Sequence, residues 1–130
     1  MISLSLPPTG RRRTVLIVDD DRSVRELFRE ALRIEGYDVR TASDGMSALS
    51  QIEQEVPDAI VLDLGLPHVS GVDLLRELRA RPEMELVPVI VVTGTDWELP
   101  HGVAATLRKP VNPDALVSTL QRAIAKSPSA

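Results

Sequence analysis

Two apolar runs in this chain end in carboxylates. Val15-Leu16-Ile17-Val18 leads into Asp19-Asp20-Asp21, and Ala59-Ile60-Val61-Leu62 ends in Asp63, followed at once by Leu64-Gly65-Leu66-Pro67. Two other apolar stretches stop at groups of a different kind, a hydroxyl at Thr93 and an ammonium at Lys109. Three carboxylates held together would repel one another and raise their own pKa values unless a positive charge sat between them. Oxygen ligands with no His or Cys nearby suit Mg²⁺, which takes one or two carboxylates and keeps several waters. A metal beside Asp63 would draw the oxygens of a phosphoryl donor towards that carboxylate, and Asp is a competent nucleophile for phosphoryl groups, giving an aspartyl phosphate. Such transfer is mostly positioning and charge neutralisation, for which Lys109 and Thr93 supply the cation and the hydroxyl.

These five residues are far apart in sequence, so the elements between them must bring them together. Apolar runs of four or five residues cut off by Gly, Pro or Asp read as strands buried on both faces. They are expected over 14–19, 37–42, 59–63, 88–93 and 104–108. Between them Val24, Leu27, Phe28, Ala31 and Leu32 form a helical stripe that Ser23 can cap and Gly36 ends, with Asp21 assigned to the helix start and not to metal. Ser43 or Asp44 caps a second helix running to about Glu55. A third spans about 71–80 with Val72, Leu75 and Leu78 inward. Asn112-Pro113 opens the last, whose stripe is Leu116, Leu120, Ala123 and Ile124. Strands and helices that alternate five times, with connections too long for hairpins, argue an α/β fold with a doubly wound parallel sheet. Parallel strands put all their carboxyl ends on one edge, which is where such folds bind ligands.

The 130 residues fit one domain, expected over 13–126 between an arm at 1–12 and a tail at 127–130. The Met1 start favours a stand-alone regulator acting by contact. The absence of cysteine excludes disulfides and thiolate sites. Net charge −4 without a long basic helix argues against nucleic acid, and Arg11-Arg12-Arg13 reads as a solvated arm. No apolar run is long enough to span a bilayer, so a cytoplasmic protein is expected. His68 and His101 lie in loops without a second ligand at useful spacing and are expected to face solvent.

The residues quoted so far fall into a known order. Val15 to Asp21 with Arg25, then Val61-Leu62-Asp63-Leu64-Gly65-Leu66-Pro67 with Gly71, then Val91-Val92-Thr93-Gly94 and Arg108-Lys109-Pro110, resemble the receiver domain of two-component response regulators from about Thr14 to Lys126. The resemblance implies the strand order 2-1-3-4-5. It implies that Asp63 accepts phosphate from a sensor histidine kinase or a histidine phosphotransfer protein. Asp20 would bind Mg²⁺ directly and Asp19 through water, with Asp63 and the Gly65 carbonyl completing the protein ligands. Thr93 and Lys109 would contact the phosphoryl group, Pro110 would follow a cis bond, and positions 65 and 95 would tune phosphate lifetime. The downstream protein is not named by the sequence, and a homodimer is left open.

The chain also departs from that pattern. Thr93 and Lys109 are only 16 positions apart, and Pro100 and Gly102 leave little room for a helix between them, so the fourth helix is expected to be short or missing. Thr106 stands where the family carries a switch aromatic. Output is therefore expected through the loop 94–103, which holds the only tryptophan, Trp97, or through another face. Two rivals remain. A haloacid-dehalogenase-like phosphatase would use Asp19 as nucleophile, but it needs metal-binding acids after the Lys, where only Asp114 follows. A degenerate receiver would act as an interaction module without phosphorylation.

Overall fold

The computed structural model describes residues 12–66, 70–94 and 102–126. Five strands, β1 (Thr14–Val18), β2 (Asp38–Ala42), β3 (Ala59–Asp63), β4 (Val89–Thr93) and β5 (Ala105–Arg108), form one sheet. All pairs are parallel and the order is β2-β1-β3-β4-β5. Four helices are present among the described residues: α1 (Arg22–Ile34), α2 (Gly45–Gln54), α3 (Gly71–Arg79) and α4 (Pro113–Ala125). The α/β fold and strand order expected from the sequence are those observed.

The central strands are apolar on both sides because helices cover both faces. Leu16, Val18, Ile60, Leu62, Val89 and Val91 face α2 and α3 through Ala48, Ile52, Leu74, Leu75 and Leu78. Val15, Ile17, Val61, Ile90 and Val92 face α1 and α4 through Phe28, Leu32, Leu116, Leu120 and Ile124. Burying each such side chain contributes about 1.5–3 kcal/mol, which is what fixes the strand register and hence the alignment of the carboxyl ends.

Three details of the helices differ from expectation. Asp21 caps α1, in line with its assignment to the helix start, but its carboxylate accepts from the amides of Ser23 and Val24, so Ser23 lies inside the helix instead of capping it. On the same helix Leu27 is exposed, because Val24, Phe28 and Leu32 already fill the strip against the sheet. In α3 Val72 faces outward and Leu74 takes its place, giving a stripe Gly71, Leu74, Leu75, Leu78. Gly71 sets that phase. A Cβ there would lie 2.5 Å from Leu64 Cα and 2.7 Å from the Asp63 carbonyl oxygen, so only this face of the helix can approach the end of β3. The other caps are as expected, Asp44 on α2 and Asn112 with Pro113 on α4. The described residues of the β4–β5 crossover, Gly94 and 102–104, are not helical, and the rest of the expected short or missing helix lies outside the described residues.

That crossover returns to the sheet at a fixed point. Arg79, in the last turn of α3, donates to the carbonyls of Met84 (3.0 Å), Val87 (3.2 Å) and Gly102 (2.8 Å). Burial lowers its pKa, and its charge is held by backbone dipoles, no carboxylate pairing with it among the described residues.

Tyr37 leads into β2 and packs its ring on the α1/α4 side of the core. Burial first, then the charge of Glu35, raises its phenol pKa above 10.0, against a smaller opposing effect of Arg13. A raised pKa on an acid means that the unfolded chain loses the proton more readily, so the stability associated with Tyr37 is full below pH 10 and is lost as pH rises above it. Urea unfolding of Tyr37→Phe across the alkaline range should show a shallower decline than the parent protein.

Candidate functional site

Each site residue is placed by the strand that ends at it. Asp63 is the last residue of β3 and Thr93 the last of β4, while Asp19 and Lys109 follow β1 and β5 directly. The backbone keeps these ends level: the Asp19 amide donates to the Ala42 carbonyl at 3.1 Å, that of Leu64 to Val92 at 3.0 Å and that of Lys109 to Thr93 at 2.8 Å. Lys109 and Thr93 are thereby locked side by side, although adjacent in space only. The Lys109-Pro110 bond is cis, as the resemblance implied.

Asp19, Asp20 and Asp63 each bring a carboxylate oxygen within 4.8 Å of the other two. Asp19 is 2% exposed and Asp63 4%, whereas Asp20 is open to solvent. One oxygen of Asp63, Oδ1, accepts the Gly65 amide at 2.9 Å, and the other, Oδ2, accepts the Lys109 ammonium at 3.2 Å. The same ammonium lies 3.7 Å from Asp19 Oδ2. Asp19 Oδ1 in turn accepts the Asp21 amide at 2.9 Å. Thr93 is buried at the same edge. The five residues expected to act together therefore share one edge of the sheet, and Gly65 adjoins Asp63. His68, Trp97 and His101 lie outside the described residues.

The electrostatics follow from three acids around one base. Burial raises the pKa of Asp19, and the charges of Asp63 and Asp20 add to that, against the Asp21 amide and Lys109, which lower it. For Lys109 burial works against the charged form, but the carboxylates of Asp63, Asp19 and Asp20 and the hydrogen bond to Asp63 outweigh it and its pKa rises. The ammonium is thus held firmly, while one charge cannot neutralise three. Asp19→Asn keeps the acceptor for the Asp21 amide and removes a repelled charge. It is expected to stabilise the metal-free protein by about 1 kcal/mol at neutral pH, read as a higher urea midpoint at unchanged slope.

Two contributors went unassigned in the sequence reading. Arg25 donates Nη1 to the Asp19 carbonyl at 2.8 Å, fixing the turn that aims the acidic pair. Gly71, by its close approach, holds α3 against the backbone that carries Asp63. Both were visible as members of a motif, but only coordinates reveal that they act on backbone atoms.

The pattern of the response regulator receiver domain matches residues 15–121. The chain belongs to the response regulator receiver family. Among relatives of this receiver, Response regulator MprA of Mycobacterium avium (strain 104) is 43% identical over 82 residues, which cover 63% of this chain and 35% of that protein. The chain thus matches about a third of the length of the curated relatives it resembles. The structure of chemotaxis response regulator CheY4 of Vibrio cholerae superposes with a TM-score of 0.81 at 30% identity, covering 87% of this chain and 99% of that one. A receiver domain protein (CheY-like) from Methanospirillum hungatei JF-1 also superposes with a TM-score of 0.81, at 27% identity, covering 89% of this chain and 96% of that one. The receiver is therefore of the two-component response regulator type, and its acidic pocket fits a phosphoacceptor site. The dehalogenase-like order of motifs, already disfavoured by the position of Asp63, finds no support in these matches. Among the described residues no helix is long and apolar enough to cross a membrane.

Proposed function

We propose that this receiver accepts a phosphoryl group on Asp63 from a phosphohistidine of a sensor histidine kinase or a histidine phosphotransfer protein, and signals by contact with a downstream protein. The observation that carries the reading is the placement of Lys109 Nζ against both Asp63 Oδ2 (3.2 Å) and Asp19 Oδ2 (3.7 Å) at one sheet edge. An Asp63 oxygen attacks phosphorus, the bond from phosphorus to the donor nitrogen breaks, and the imidazole leaves with its electron pair. Lys109 already touches the acceptor carboxylate, so it can follow the phosphoryl oxygens as charge passes to them. Thr93, level with it, offers a hydroxyl to the same oxygens.

The pocket offers only oxygen donors, and its three carboxylates carry more charge than Lys109 neutralises, which suits a hard divalent cation such as Mg²⁺. Asp19, Asp20, Asp63 and the Gly65 carbonyl would hold it, and when bound it would supply neutralisation of the phosphoryl oxygens. The reading puts the protein in the cytoplasm, with protein partners and without nucleic acid or membrane.

Incubation with acetyl phosphate and Mg²⁺ tests it. The expected product is a single phosphoryl adduct by mass spectrometry, cleaved by hydroxylamine as an acyl phosphate is, and absent when EDTA replaces the metal. Failure to form an adduct from acetyl phosphate or from any histidine-phosphorylated donor would leave the fold as an interaction module. Sustained hydrolysis of an unrelated phosphoester, lost in Asp19→Asn, would instead make it a phosphatase.

A further inference from the structure

Arg22, Arg25 and Arg29 follow one another along α1 at spacings of three and four residues, which puts them on one side of the helix. Together with Glu26 and with Thr41 of β2 they line one open concavity of about 110 Å³. β2 is an edge strand, and its Val39, on the same strand face as Thr41, packs with Phe28 and Leu32 of α1. The concavity therefore lies in the seam between α1 and the edge of the sheet. Its donors are unequally committed. Arg22 Nε donates to Glu26 at 3.3 Å and Arg25 Nη1 to the Asp19 carbonyl at 2.8 Å. Arg29 makes no hydrogen bond or ion pair among the described residues, whereas Arg33, Arg40, Arg76 and Arg81 each pair with a carboxylate.

Three guanidiniums against the one carboxylate of Glu26 leave two positive charges here, on a chain whose net charge is −4. Like charges three and four residues apart work against a helix, so their convergence is offset when an anion comes between them. A guanidinium presents its N–H groups as a planar fork that matches the oxygens of carboxylate and of phosphate. The two anions differ in how well they fill this place. A carboxylate brings one charge and two oxygens, whereas a phosphate monoester brings about 1.5 to 2 negative charges and three strong acceptor oxygens. The phosphoryl group is the closer match to two net charges, three forks and the hydroxyl of Thr41.

We propose that this seam is an oxyanion site for a terminal phosphoryl group, that of free phosphate or of a phosphate monoester, held by Arg22, Arg25, Arg29 and the Thr41 hydroxyl and opposed by Glu26. It is distinct from the phosphoacceptor pocket, whose three carboxylates repel an anion when no metal is bound. Arg25 joins the two places, since one of its N–H groups holds the Asp19 carbonyl while the others remain for the anion. The site stands on the arginines and does not depend on whether Asp63 is phosphorylated.

Calorimetric titration of the whole chain with inorganic phosphate, in EDTA and at low ionic strength, tests it, because the metal-free acidic pocket then excludes the anion. One saturable event is expected. Arg29→Gln should weaken it about tenfold, and Arg22→Gln with Arg29→Gln about a hundredfold. Glu26→Gln removes the opposing charge and frees Arg22 Nε, so it should tighten binding about threefold; this gain keeps the test decisive even where an arginine variant folds poorly. Arg76→Gln, on α3 and outside the seam, should change nothing. A phosphoserine peptide in place of phosphate tells the sources apart: tighter binding of the peptide points to a phosphorylated side chain, tighter binding of phosphate to a free small anion, and both support the site. Acetate binding as tightly as phosphate, or equal losses in Arg76→Gln and Arg29→Gln, would reveal a response to charge alone and overturn the proposal. So would the absence of saturable binding, or a Glu26→Gln protein that binds no tighter than its parent.

Discussion

Asp63→Asn should take up no phosphoryl group from acetyl phosphate or from a phosphohistidine donor, while remaining folded. The amide keeps the volume and the acceptor for the Gly65 amide, a bond of 2.9 Å in the parent protein. It removes the carboxylate that the Lys109 ammonium hydrogen-bonds at 3.2 Å, whereas Asp19 lies farther from it at 3.7 Å. Asp19 is a poor substitute because one of its oxygens is committed to the Asp21 amide and its carbonyl is tied to Arg25. The loss should therefore be complete, not partial, by mass spectrometry and hydroxylamine lability. Persistence of a labile adduct in Asp63→Asn, mapped to Asp19 or Asp20, would move the acceptor and overturn the assignment. Circular dichroism should be unchanged, since one charge has left a pocket with an excess of its sign.

The second large effect is expected far from any charge. Gly71→Ala would ordinarily favour a helix by about 1 kcal/mol. Here the added Cβ would stand 2.5 Å from Leu64 Cα, 2.7 Å from the Asp63 carbonyl oxygen and 3.0 Å from Leu64 Cδ2. Two of the three are backbone atoms, which cannot swing aside, so α3 must retreat or the end of β3 must bend. Overpacking of this kind costs about 1–3 kcal/mol and sometimes more, and we expect the upper end, with a fall in the urea midpoint. Because the displaced oxygen belongs to Asp63, the rate of adduct formation should fall with it. Gly36→Ala provides the comparison: nothing lies near its Cβ position, but its φ of 97° is unfavourable for alanine. It should cost about 1 kcal/mol and leave phosphorylation alone.

The contrast between these two variants marks where sequence reasoning succeeds. Asp19, Asp63, Thr93 and Lys109 were legible because a buried parallel strand announces itself as an apolar run, and the residue that ends it is thereby placed at the ligand edge. The strand order and the roles came from the family resemblance, since periodicity alone does not say which strands are neighbours. The helix stripes were less legible. Leu27 and Val72 fit the apolar spacing as well as Phe28 and Leu74 do, and only the docked helix decides which side faces the sheet. The capping of α1 shows a similar ambiguity, with three capable residues, Asp20, Asp21 and Ser23, in one turn and Asp21 taking the two amides. Contacts to backbone atoms, those of Arg25 and Gly71, have no signature beyond the residue type.

The Arg79 fork bears on how the chain tolerates change. Its three carbonyl partners belong to the turn after α3 and to Gly102, so the point where the β4–β5 crossover lands is set from outside the crossover. The other end is set at Thr93 by the Lys109 amide. With both abutments fixed, the length of chain between them is nearly a free parameter: doubling a loop costs only about 0.6 kcal/mol of closure entropy. Insertions between Gly94 and Gly102 should therefore be accepted where a lysine in place of Arg79, which cannot span three acceptors with one planar group, would not.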